Sequence, residues 1–196
     1  MNVSVASQII RSVVRRVCGV NLVVGLALVF AAGPVIAPAY AQEEQPEYVV
    51  KTAFIYNFLK FTQWPNSAFA KPDAPITICT VGNDSYGNAL NVLTTKHIES
   101  HPITVEHSVP IGALGKCQVV LVSGQSAAAA AIGQVRSHPV LTIGDNADFA
   151  SSGGMIGLVD VDHQVRFQVN VAAFHRYGLS VSSQLLKIAI LVDSAI

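Results

Sequence analysis

Charge is scarce in this chain. Only 12% of its residues are Asp, Glu, Lys or Arg, and the formal net charge is zero. Basic residues do not cluster, which argues against a nucleic-acid partner, since that asks for a basic patch. Tryptophan occurs once and methionine twice. Beyond the first 41 residues no apolar run is long enough to span a bilayer, which takes about 20 residues. Catalytic signatures are missing too. The six histidines stand at 97, 101, 107, 138, 163 and 175. None of them lies at a zinc-motif distance from a Cys or Glu, so no metal or other cofactor is expected. Ser183 and Lys187 are one position too far apart for the S-x-x-K arrangement of serine–lysine enzymes. Gly153, Gly154 and Gly157 lack the Lys-Ser/Thr that follows a phosphate loop, and they precede a strand, not a helix N-terminus. These absences favour a binding or regulatory module over an enzyme.

What is present begins with the N-terminal 41 residues. Arg11, Arg15 and Arg16 are followed by an apolar stretch from Val17 to Ala32, the breaker Gly33-Pro34, and Ala39-Tyr40-Ala41. Basic, then apolar, then small-x-small is the layout of a secretory signal. The expected cut after Ala41 leaves a domain over 42–196. An uncleaved anchor is the competing reading, and it too would hold the domain outside the cytoplasm. Lipidation at Cys18 is rejected because arginines, not apolar residues, precede it. Removal of residues 1–41 leaves nine basic residues against twelve acidic ones, a net charge of −3. The 155 residues that remain make one ordinary domain, able to bury about 68–70% of its unfolded surface.

Cys79 and Cys117 are the cysteines of that domain. In an exported protein an even pair reads as a disulfide. Two buried free thiols are the alternative, and a mass measurement with and without reductant separates the two.

The hydrophobic pattern predicts a mixed sheet flanked by helices, an α/β domain. A helix is expected over 47–64, with Val50, Ala53, Phe54, Asn57, Phe61 and Trp64 on one face and Pro65 as its stop. Strands are expected at 76–81, 103–109, 118–122 and 140–143, with helices at 86–95 and 125–137. Residues 155–161 and 165–169 read as a hairpin turning at Asp162-His163. Asn170 is placed to cap a short helix ending near Tyr177, with Gly178 after it. A last helix is expected over 182–193, capped by Ser182 or Ser183, with Leu185, Leu186, Ala189 and Val192 on one stripe.

Five segments taken together resemble the YfiR family of periplasmic regulators. They are VKTAFIYNFLKFTQWP (50–65), ITICTVG (76–82), KCQVVLVSG (116–124), PVLTIGDNADFASSGGMIGLV (139–159) and VRFQVNVAAFHRYGLSVSSQLLKIAILV (165–192). Specificity lies in their combination and order: Trp64-Pro65 closing an aromatic helix, Gly153-Gly154 after L-T-x-G-D, and Asn170 in F-x-V-N. The resemblance implies a periplasmic repressor of an inner-membrane diguanylate cyclase. An OmpA-like outer-membrane lipoprotein would relieve it, and the output would be cyclic di-GMP and biofilm. It also implies the Cys79–Cys117 pair. A second cysteine pair found in some members near the Gly-Gly segment is absent. A C₂ homodimer is the default if the chain self-associates. The expected partner-binding surface is the turn from Phe149 to Met155, followed by Phe174, His175, Arg176 and Tyr177. The competing function is a periplasmic small-molecule-binding module feeding a membrane sensor kinase. An enzyme with an unrecognised site is a third.

Overall fold

Continuous apolar runs in the middle of the chain become strands buried on both faces, as parallel strands covered by helices require. The structure is a computed structural model that describes residues 47–193. The signal segment expected over 1–41 lies outside the described residues. Helix α1 spans Glu47–Phe61. Ten strands follow in order: β1 Thr62–Gln63, β2 Ile76–Gly82, β3 His97–Ile98, β4 His101–Glu106, β5 Val119–Ser123, β6 Leu141–Gly144, β7 Ile156–Val161, β8 Gln164–Val169, β9 Ser180–Val181 and β10 Ile190–Leu191. Helices α2 (Gln125–Gln134), α3 (Val171–Arg176) and α4 (Ser183–Leu186) lie between them.

Among the described residues, eight strands form one sheet in the order β10-β8-β7-β6-β5-β2-β4-β3. The central strands β4, β2, β5, β6 and β7 are parallel, and β8 returns antiparallel to β7. β1 and β9 form a separate two-stranded ladder. The α/β class with a mixed sheet, expected from the sequence, is what forms.

Alternation along the strands divides the core in two. Ile78, Val119, Leu121, Leu141 and Ile143 pack in a cluster with Ile55, Phe58 and Leu59 of α1. Cys79, Val81, Val120 and Val122 pack in a second cluster with Ala131 and Ile132 of α2. Within the second cluster Cys79 and Cys117 are bridged, with Cα atoms 6.1 Å apart. The bridge ties β2 to the residue that leads into β5. The 38-residue separation it closes corresponds to about 4 kcal/mol on the chain-entropy view.

Several expectations are corrected. Helix α1 buries Lys51, Thr52, Ile55, Phe58 and Leu59, not the expected face, and Ala53 and Asn57 are exposed. The helix is apolar nearly all round, so periodicity alone did not choose its inner face. It also stops at Phe61, before Pro65, because Thr62 and Gln63 pair with Val181 and Ser180. Residues Gly87–Thr95 form a 3₁₀ helix in place of the expected α-helix. Thr94 and Thr95 donate side-chain hydrogen bonds to the carbonyls of Asn91 and Val92, three residues back, in step with the tighter winding. The final helix is one turn only, capped by the Ser182 hydroxyl, which accepts from Gln184 N–H. Beyond it Ile190 and Leu191 join the sheet beside β8.

The hairpin turn holds: Asp162 and His163 have φ of 53° and 59°, the paired positive angles of a two-residue loop. Asn170 caps α3 through its side chain, which accepts from Ala173 N–H at 3.0 Å. Gly178 follows that helix at φ 74°.

Candidate functional site

The residues expected to form a partner surface do not share one. Phe149, Met155 and Phe174 are 0% exposed, and Tyr177 is 6% exposed. Phe149 belongs to the cluster around the disulfide, whereas Met155, Phe174 and Tyr177 belong to the cluster under α1. The expectation of exposed apolar groups in the 149–155 turn is therefore corrected. The physical reason is a pair of glycines. A Cβ on Gly144 or on Gly154 would stand 2.2 Å from the Phe149 ring, so both must be bare for the ring to enter. Asn170 locks the turn from the other side. Its amide Nδ2 donates to the Ala150 carbonyl at 2.8 Å, and its backbone N–H donates to Met155 O at 2.9 Å. His175 and Arg176, in the last turn of α3, do remain exposed.

A groove lies elsewhere, where α1 runs out into β1. It has a volume of about 920 Å³ and is lined by Tyr56, Lys60, Thr62, Trp64, Phe69, Lys71, His97, Glu99 and His101 among others. Gln118 organises it. The Gln118 backbone carbonyl accepts from Trp64 Nε1 at 3.3 Å. Its side-chain oxygen accepts from Thr77 N–H at 3.0 Å, and its side-chain nitrogen donates to Ala68 O at 3.1 Å. One residue before β5 thus anchors both β2 and the Trp64–Phe69 turn. Phe69 stands edge-on to Trp64 at 6.5 Å and stacks on the His101 ring at 4.0 Å. His101 Nδ1 donates to the Ala74 carbonyl at 2.6 Å, which leaves Nε2 as the other ring nitrogen available to a ligand. Lys60 lies over the Tyr56 ring at 5.8 Å.

Thr62 lines the groove, but its Oγ1 is buried away from solvent and has no hydrogen-bond partner. Unpaired buried hydroxyls are uncommon and ask for a reason. Aromatic rings, two lysines and the carboxylate of Glu99 suit a planar, polar small molecule. Sequence reading singled out Trp64 and Pro65 as a motif but missed Lys60, Thr62, Phe69, Lys71, His97 and His101. The available signal was the density of aromatic and basic residues in KFTQWPNSAFAK (60–71).

At the opposite end of β2, His107 Nδ1 donates to Asp84 Oδ2 at 2.6 Å, and Asp84 Oδ1 accepts from Gly87 N–H at 3.3 Å. The pair fastens β4 to the turn after β2. Among the described residues, no three His, Cys, Asp or Glu side chains gather to hold a metal ion. Nor is any helix there long and apolar enough to cross a membrane. Ser183 and Lys187 are joined through the backbone, Lys187 N–H to Ser183 O at 3.2 Å, as one turn of helix.

A family model described as YfiR/HmsC-like matches residues 48–190. No curated protein matches the chain.

Proposed function

The chain belongs to the YfiR/HmsC-like family, and on that footing we propose that it is a periplasmic negative regulator of an inner-membrane diguanylate cyclase. It binds the periplasmic part of the cyclase, lowers cyclic di-GMP and so restrains biofilm formation. An OmpA-like outer-membrane lipoprotein releases the block by sequestering it. The observation that carries this reading is the extent of the match, which runs from the second residue of α1 to the first residue of β10 and so takes in nearly the whole sheet. Export is consistent with the buried Cys79–Cys117 bridge, since such bridges persist in oxidising compartments. The work required is binding, for which a rigid, cross-linked frame serves. His175 and Arg176 are the exposed members of the expected contact set.

Cellular cyclic di-GMP in a strain lacking the gene tests the proposal. A rise reversed by the full chain, but not by a version lacking residues 2–41, supports it. Unchanged cyclic di-GMP across growth conditions sinks it.

A second reading is favoured by the groove. Its aromatic rings and charged side chains are suited to a ligand, and the protein would then pass a small-molecule signal to a membrane sensor kinase. A thermal-shift screen with aromatic amino acids and nucleotides tests it, because a ligand bound only to the folded state raises the melting temperature.

A further inference from the structure

Carboxylates are unevenly placed along this chain. None occurs between Glu47 and Asp73, and none between Asp162 and Asp193, yet Lys51, Lys60, Lys71, Arg166, Arg176 and Lys187 fall in those two stretches. Folding lays the stretches against each other. Thr62 and Gln63 pair with Val181 and Ser180, and Phe61 O accepts from Ser182 N–H at 2.8 Å. The rings of Phe54 and Phe58 meet that of Phe167 at 5.8 and 5.0 Å. One side of the domain, built from α1, the β1·β9 ladder and the segment from α3 to β10, thus carries Lys60, Lys71, Arg176 and Lys187. Acids stand only at its margins: Asp73 and Glu99 by the groove, and Asp193 after β10. All four cations are exposed. None joins the ion pairs formed among the described residues, which use Lys51, His107 and Lys116.

The same side is partly apolar. Ile188 is 69% and Leu191 59% exposed, next to Lys187 in the chain. Leu191 pairs with Val169, which packs in the cluster under α1, and paired residues share a face of the sheet. Tyr56 and Trp64 line the groove beside Lys60, half-buried. Other carboxylates lie at the far end of the strands. Strand β2 runs seven residues from Ile76, at the groove, to Gly82, two before Asp84 and level with the strand ends that precede Asp145. That is about 20 Å, more than two screening lengths of about 8 Å at physiological salt. A domain of net charge −3 after Ala41 therefore presents one positive side that its own distant acids do not neutralise.

We propose that this side rests on a bilayer surface carrying anionic headgroups. Cations beside exposed aliphatic and half-buried aromatic side chains make the composition of a surface that lies in a membrane interface. Lys60, Lys71, Arg176 and Lys187 meet the headgroups, and Ile188 and Leu191 enter the boundary with the acyl chains. An acidic protein segment would use the charges alone, and the bare aliphatic pair is what favours lipid. Contact is peripheral, since no helix among the described residues is long and apolar enough to cross a membrane. Each cation near such a surface is worth about fivefold in partitioning, so attachment is reversible and undone by high salt. Neither the cyclase reading nor the kinase reading is needed for it.

Co-sedimentation of the protein, purified from the exported fraction, with phosphatidylcholine vesicles and with vesicles one-quarter phosphatidylglycerol tests it. The wild type pellets with the anionic vesicles at low salt, not with the neutral ones, and is released by high salt. Lys60→Gln, Arg176→Gln and Lys187→Gln each lower the partition coefficient about fivefold. Leu191→Ser lowers it about tenfold. Arg136→Gln, just past α2 on the opposite face of the sheet, leaves it unchanged. All these positions are exposed, and unchanged melting temperatures confirm intact folds. A protein that ignores anionic vesicles, binds neutral ones equally, or loses as much through Arg136→Gln overturns the proposal. So does one that ignores vesicles but is captured by polyglutamate through Lys60, Arg176 and Lys187, since an acidic polypeptide is then the occupant.

Discussion

Phe149 sits so close over Gly144 that the smallest side chain there would meet its ring at 2.2 Å. Contacts under 3.0 Å do not occur between real atoms of this kind, so Gly144→Ala must push the ring out of a packed core. Overpacking of this sort costs about 1–3 kcal/mol. In a domain of this size each kcal/mol is worth about 2–4 °C of melting temperature. Phe149→Ala leaves a cavity instead and costs about 3–5 kcal/mol. A charged residue at 149 is expected to lower the melting temperature sharply, with partner binding lost through unfolding. Weakened binding at an unchanged melting temperature would return Phe149 to the surface.

Gln118→Ala removes the side-chain bonds to Thr77 N–H and Ala68 O. Leaving the Thr77 donor unmatched costs about 1–3 kcal/mol. Trp64 is the chain's single tryptophan, so its fluorescence reports on the groove directly. The variant is expected to show red-shifted emission and readier quenching by iodide. Emission identical to wild type would mean that Gln118 does not hold the Trp64 turn.

Thr62→Val replaces the unpartnered hydroxyl by a methyl group of nearly equal shape. Removal of an unsatisfied buried group is neutral or stabilising, by about 1 kcal/mol at most. A variant less stable than wild type by more than that amount would show that the hydroxyl has a partner in the folded protein.

Tyr86 gives the chain a sensitivity to alkali. Burial is the main reason its phenol is pushed well above the ordinary value of 10.0, and Asp145, Tyr48 and Glu47 add to the effect in that order. Below about pH 10 the phenol is neutral in both the folded and the unfolded chain and contributes no pH dependence. As pH rises past that point, the unfolded chain gives up the proton while the folded chain keeps it, so stability falls with pH. Urea midpoints are expected to drop above about pH 10 in the wild type and to drop less in Tyr86→Phe. Equal slopes in the two proteins would place the phenol in water.

The strands of the sheet centre were readable because their chemistry is one-sided. Runs such as Val119–Ser123 and Leu141–Gly144 are buried at every position, and only a strand covered on both faces buries four or five successive residues in that way. The Asp162-His163 turn and the Asn170 cap were readable because each depends on a local hydrogen-bond or backbone preference. Helix α1 was legible as a helix but not in its orientation, since Phe54, Phe58 and Phe61 offer apolar surface in several directions. The groove was not legible, because it assembles Lys60, Phe69 and His101 from segments up to 41 positions apart, with Gln118 holding the Trp64–Phe69 turn and Ala74 holding His101.

The amino-acid sequence by itself determined the α/β class, the cysteine pair, the hairpin and the family resemblance, all carried by local pattern or by residue order. Tertiary structure decided the rest wherever a segment was compatible with two states. Lys187–Val192 reads as the end of a helix, and the open side of β8, offering Val169 O to Val192 N–H, makes its last residues a strand instead. The polar turn around Phe149 reads as surface, and two bare glycines, five positions before and after it, admit its ring to the core. In the first case the deciding partner lies far along the chain, and in the second it is the folded turn, not sequence distance, that lays the two glycines against the ring.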